Sequence, residues 1–435
     1  MSSIPRVRSI AIVGAGPSGL ATAKYLIAEK CFQRIDILEH RRDVGGVWNY
    51  EPDASETIDG SVMNDSHSPR DASRRLEESK SSGFVSPMYE GLETNIPRCL
   101  MEFSDQRFPT ECQLFPSQIT VLEYLNRYAR DVLHMIRFST LVLDIQPTIY
   151  EETPCWMVRT KENTSKEHRV QIYDAVVIAS GHYNVPFTPD LCGLQAWKEA
   201  YPESLIHSRD YHRVEPFRNK RSTSYLVVGP EEFKEDVPEI SEFIVEGRAV
   251  RFTNGRLEYG VDVVLFCTGY SYCFPFLSTL SPPLVTDGTR TEHVYKQIFY
   301  SPRPTLAFSA LPQKIVPFPT AECQAAVIAR VWSHRLQLPC ERAMEDWEES
   351  VIREHGNGKR FHILNFPRDV EYINELHDWS VKATTAPVGK VPPRWSERTR
   401  WTRERFPAIK KAFVDKGEER HTVRHIEDLG FVFDA

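Results

Sequence analysis

Gly14, Gly16 and Gly19 fall in the spacing G-x-G-x-x-G, with Ala15, Pro17 and Ser18 between them. Glycines so placed allow a tight turn, close approach of backbone to a diphosphate, and close packing of a helix on a strand. Glu39 follows about 20 residues later, where a carboxylate can hold the hydroxyl pair of a ribose. Together these residues make the phosphate and sugar halves of a dinucleotide site. Asn95 is a candidate of another kind, an amide that both donates and accepts, in the stretch Thr94-Asn95-Ile96-Pro97. By itself that stretch also fits a simple turn.

The glycine turn needs a strand before it and a helix after it. The apolar run Ile10–Val13 supplies the first, and Leu20–Leu26, with helical spacing, supplies the second. The positive helix end then faces the diphosphate. Ile35–Leu38 is the second strand, ending at Glu39. Downstream, Gln118–Leu133 carries an amphipathic helix pattern, and strands are expected near Thr140–Ile145 and Cys155–Thr160. A polar stretch from about Glu51 to Ser82 reads as a solvated loop or short surface helix.

Two segments echo one another: Asp174–Gly181 and Asp262–Gly269 each run acid, four buried-strand residues, small residue, hydroxyl, glycine. Each reads as the last strand of a dinucleotide-binding unit, which implies two such units. Ser224–Gly229 looks like the opening strand of the second. No further glycines follow it at the required spacing, and Glu231, Glu232, Glu235 and Asp236 stand where a diphosphate would dock. A hairpin is signalled at Asn254-Gly255. Only about 45 residues separate Ser224 from Gly269, short for a complete unit.

The 435 residues are 41% hydrophobic and 26% charged, an ordinary globular composition. A net charge of -7 argues against nucleic-acid binding, which needs a basic face. The basic run Arg394–Lys411 is interrupted by Glu397 and Glu404 and reads as a solvated C-terminal helix. Nine scattered cysteines without C-x-x-C suit a reducing compartment and disfavour a zinc module. No apolar run approaches a membrane span, so a soluble, cytoplasmic protein is expected.

Taken together, several motifs resemble those of the flavin-containing monooxygenases, soluble fungal-type branch. They are Gly14–Gly19, Glu39 with Gly45-Gly46-Val47-Trp48, Tyr89–Pro97, Phe115-Pro116-Ser117, His207–Tyr211, Cys267–Tyr270, Leu311-Pro312 and Glu322–Ala325. The resemblance covers nearly the whole chain. It implies an α/β flavoprotein with two Rossmann-like dinucleotide-binding domains: a discontinuous FAD domain over residues 1–185 and 271–435, and a truncated NADPH domain over 186–270. It implies that FAD, NADPH and O2 together oxygenate a soft nitrogen or sulfur centre, or a carbon, of a small, specialised metabolite through a flavin C4a-hydroperoxide. No metal is then needed. Position by position, Asn95 would be the catalytic asparagine and Thr94 would lie near the nicotinamide. Val47 and Trp48 would lie near the flavin, and Ile96 beside Asn95. Gln324 is a further candidate flavin contact. Tyr201 and Glu203 depart from the family's phenylalanine and glycine ahead of His207, which disfavours Baeyer–Villiger insertion.

The altered second unit leaves other readings open. One is a flavin oxidase, or a flavoenzyme fed by a separate reductase. Another is a flavin-binding remnant or misassembled gene product that has lost a segment after Gly229. A shortened unit also leaves apolar surface for a homo-oligomer.

Overall fold

The computed structural model describes residues 4–50, 86–213, 224–228, 238–383 and 389–434. Glu51–Ser82 and Glu231–Asp236, both singled out in the sequence, lie outside them. The chain divides into two compact units. One takes the residues up to Asn49, then Gly91–Gly181, then Phe274 onward; the other is built around His182–Cys273.

The first unit has a seven-stranded sheet around β1 (Ser9–Val13). β1 pairs in parallel with β2 (Arg34–Leu38) on one side and Ala175–Ile178 on the other. Beyond Ala175–Ile178 come Leu306–Phe308, Phe299–Tyr300 and Val294–Tyr295; beyond β2 comes Ile136–Arg137. Ile10, Ile12, Ile37, Val176 and Val177 are fully buried, as parallel strands covered on both faces must be. α1 (Pro17–Ala28) packs on the helix Pro317–Trp332, whose residues from Phe318 onward are all buried. A helix buried around its whole circumference belongs in a core, and its polar residues Glu322, Gln324 and Arg330 are buried with it.

Strands Thr140–Tyr150, Thr153–Glu162 and His168–Tyr173 form a separate antiparallel sheet. The first two run further than their sequence pattern suggests. Glu151 (φ 48°) and Glu152 (φ 61°) close a two-residue hairpin with both central residues left-handed, a turn usually marked by Asn-Gly. α2 (Gln118–Ala129) ends earlier than its apolar pattern, and a short 3-10 turn at Leu133–Met135 follows.

In the second unit, Val261–Phe266 lies between Leu205–His207 and Ser224–Val228, all three parallel. Ser224–Val228 is an edge strand among the described residues. Ile240–Ile244, Ala249–Phe252 and Leu257–Glu258 make an antiparallel triplet, with the hairpin at Asn254-Gly255. Trp197, Phe243, Phe252 and Phe266 fill the core between these elements. Among the described residues, no helix is long and apolar enough to cross a membrane.

Candidate functional site

The glycine turn leaves β1 where its sequence places it. Gly14 takes φ +103°, and a Cβ there would stand 2.6 Å from the Ala179 carbonyl oxygen. A Cβ on Gly19 would stand 2.0 Å from the Gly14 oxygen, so close packing of α1 on β1 demands glycine. Gly16 is the N-cap of α1 and Pro17 its first residue. Neither a capping side chain nor a first-turn acid occupies this helix end, which leaves its amides to an anion.

Glu39 is 6% exposed at the end of β2. Its Oε2 accepts from Ala15 N at 2.6 Å and its Oε1 from Arg41 N at 2.8 Å. Burial pushes the carboxyl above its usual range, opposed by the Arg41 and Ala15 amides. Each oxygen keeps a lone pair for a ribose hydroxyl. Gly45 N donates to the Ala15 carbonyl at 3.1 Å, so the Gly45–Trp48 turn lies against the glycine loop. Val47 and Trp48 are half-buried there.

Gln118 ties in the asparagine loop. Its backbone N donates to Leu92 O at 3.0 Å, and its side-chain amide donates to Trp48 O. Thr94 N donates to Pro116 O at 2.9 Å, and Thr94 Oγ1 to Ile96 O at 2.9 Å. Thr94 is buried, Ile96 half-buried and Asn95 exposed. No described residue bonds to the Asn95 side chain. The sequence reading missed Gln118, although it follows the N-cap Ser117, whose Oγ accepts from Thr120 N at 3.3 Å. A cradle that a Cβ would fill, an uncapped helix end and a doubly anchored acid fit an adenine dinucleotide.

A model of flavin-binding monooxygenase-like proteins matches residues 72–241 and 223–388, most of the chain. The chain belongs to the flavin-binding monooxygenase-like family. An NAD(P)-binding Rossmann-like model also matches residues 12–70, the segment of the glycine turn. Flavin-containing monooxygenase FMO GS-OX-like 4 of Arabidopsis thaliana is 30% identical over 394 residues, covering 79% of this chain and 80% of that protein. Flavin-containing monooxygenase ustF2 of Aspergillus flavus is 26% identical over 494 residues, covering 93% and 99%. The solved S-allyl-L-cysteine S-oxygenase of Allium sativum superposes with a TM-score of 0.75 at 25% identity, covering 97% of each chain. This monooxygenase therefore shares the two-dinucleotide-domain architecture, and FAD and NADPH are its cofactors.

Two sequence readings are corrected by the structure. Gln324 is fully buried and committed to protein: its Oε1 accepts from Ala310 N at 2.7 Å and its Nε2 donates to Tyr372 Oη at 2.9 Å. It is a structural residue, not a flavin contact. The C-terminal helix, Glu397–Asp415, is not simply solvated, since Thr402, Arg403, Ile409 and Phe413 are buried within the first unit. Its charged composition masked that face.

His207 and His182 are buried in the second unit. His207 Nδ1 accepts from Arg209 N at 3.1 Å, so Nε2 carries the proton toward Gly269 O, 3.1 Å away. Among the described residues His182 Nε2 has no hydrogen-bond partner. Burial lowers both pKa values to about 4. Folded values below the unfolded one favour the fold fully above pH ~6.5, and this contribution is lost as pH falls toward 4. The expected loss is about 3 kcal/mol for each histidine by pH 4. A thermal-midpoint series from pH 7 to 4 checks this, and His182→Phe should flatten it. An unchanged slope in that variant would count against His182.

Proposed function

We propose that this flavin-dependent monooxygenase passes one oxygen atom of O2 to a soft nitrogen or sulfur centre of a small metabolite, with Asn95 acting beside the flavin. The observation that carries the reading is the exposed Asn95 side-chain amide, which no described residue binds, beside Thr94, whose N and Oγ1 are both paired. FAD would lie along Gly14–Gly19, with Glu39 at its ribose and Val47, Trp48, Thr94 and Ile96 lining the flavin end. When bound, it supplies the oxygen activation. The protein's part is to orient substrate and oxygen and to present amide donors where charge develops. The relation to a garlic S-oxygenase supports sulfur as the first centre to try. Nine free cysteines support a cytosolic setting.

We further propose that the nicotinamide unit is abbreviated. Three observations support this. Among the described residues Ser224–Val228 stands at a sheet edge, where a second Rossmann strand would pair. The family match falls in two overlapping pieces that meet at 223–241. The alignment with ustF2 runs over 494 positions, more than the 435 residues of this chain, so that relative carries segments absent here.

The deciding experiment is an anaerobic NADPH titration of the FAD-loaded protein, followed by visible absorbance. The expected result is complete bleaching with hydride delivered to each flavin. A flavin that dithionite bleaches and NADPH does not would overturn NADPH as direct donor. It would favour an external reductase or an oxidisable substrate as the electron source.

A further inference from the structure

The C-terminal helix Glu397–Asp415 presents Lys410 inward. Its Nζ donates to the Thr94 carbonyl oxygen at 2.9 Å and lies 3.8 Å from Glu93 Oε2. The ammonium also sits 4.6 Å from the centre of the Phe115 ring and 5.3 Å from that of Phe413. A cation over two rings, with only 20% of its side chain exposed, is held by geometry rather than by chance contact. Burial lowers its pKa, and Glu93 opposes the change.

The same extension grips Glu93 from a second direction. Arg420 Nε approaches both Glu93 oxygens at 3.3 and 3.4 Å, and His421 Nδ1 lies 3.6 Å from Oε1. Gln113 adds a bond of 3.2 Å to the same carboxylate. Glu93 is also bridged to Ser117 in the chain leading into α2. Residues 93 and 94 are thus clamped, while Asn95 beside them is exposed.

Thr94 O and Asn95 N belong to one peptide plane. In a trans peptide the carbonyl oxygen and amide hydrogen point opposite ways, so fixing the oxygen fixes the direction of the Asn95 N–H. No described residue accepts from that N–H. A cationic partner on the oxygen also polarises the peptide and strengthens its N–H as a donor.

We propose that Lys410 is a positioning residue for Asn95, setting from the C-terminal helix the plane and donor strength of the Thr94–Asn95 peptide at the flavin. This rests on the reading of Asn95 as a flavin-site residue. A charged helix outside the dinucleotide motifs thereby becomes part of the oxygenation site's support.

The test uses FAD-loaded full-length protein, chemically reduced so that no step depends on NADPH. Two readouts are taken: the visible spectrum of the bound flavin, and the rate at which oxygenated buffer restores its absorbance. Asn95→Ala is the reference. Lys410→Met is expected to shift the spectrum and change the rate in the same direction as Asn95→Ala, by about 10-fold or more, since small misplacements of a working group carry such costs. Lys410→Arg should restore much of the loss. Ile409→Ala loosens the same helix without touching Thr94 and should leave both readouts near wild type. If Ile409→Ala matches Lys410→Met, helix docking alone explains the effect and the proposal is overturned. If Asn95→Ala changes the readouts and Lys410→Met does not, the proposal falls and the reading of Asn95 stands. If Asn95→Ala changes nothing, both fall.

Discussion

Gly16→Ala is expected to yield a folded protein that purifies without its yellow flavin. Gly16 has φ -74°, ordinary for any residue. A Cβ there would meet Gly46 Cα at 3.5 Å and Gly46 N at 3.8 Å, ordinary van der Waals contact. The protein itself therefore has room for the methyl group, and stability without flavin should stay within about 0.5 kcal/mol of wild type. What the methyl fills is the space through which a diphosphate approaches the backbone. FAD affinity is expected to fall by about 100-fold, equivalent to about 2.8 kcal/mol. Gly19→Ala makes the contrast, because its Cβ would strike the Gly14 carbonyl oxygen and both folding and flavin should suffer. The check is an FAD titration of apoprotein beside a thermal melt. A Gly16→Ala protein that binds FAD as wild type does would place the diphosphate elsewhere.

That contrast shows which parts of the site the sequence makes legible. The turn, its strand, its helix and the strand that ends before Glu39 obey short-range rules, so their residue types announce the elements. The family resemblance extended this reach to the Asn95 loop. Side-chain contacts between segments distant in sequence are another matter. Lys410 meets Thr94 across 316 positions, and nothing local distinguishes it from Lys411, which pairs with Asp415 on the exposed side. Gln324 sits in a motif, yet its amide is spent on Ala310 and Tyr372 because a fully buried helix must satisfy its own polar groups. Glu151 and Glu152 make a hairpin turn with no residue that favours left-handed backbone, since the long strands on either side impose it. In each case tertiary packing decides what local preference leaves undecided.

Glu322→Ala is expected to cost a large part of the protein's stability. Glu322 is fully buried in the helix Pro317–Trp332, which packs on α1. Tyr25 Oη from α1 donates to its Oε1 at 3.1 Å, and Ser104 donates from Oγ to Oε1 at 2.6 Å and from N to Oε2 at 2.8 Å. Lys390 Nζ completes the cluster at 2.8 Å and lies 4.7 Å from the Tyr25 ring centre. One carboxylate thus joins α1, the Ser104 loop, the core helix and the segment leading to the C-terminal helix. Removing one member of a buried charged cluster leaves the others desolvated without their partner. Lys390 retains Asp105 at 3.0 Å, which places Glu322→Ala at the lower end of such losses, about 3 kcal/mol. Glu322→Gln should cost less, because it keeps the shape and one acceptor while turning a donor toward groups that themselves donate. Chemical denaturation of both variants, with and without saturating FAD, measures the difference. A Glu322→Ala loss below about 1 kcal/mol would mean that the four segments are joined by apolar packing alone. If FAD restores stability to the alanine variant only in part, the cluster supports the fold behind α1 independently of the cofactor.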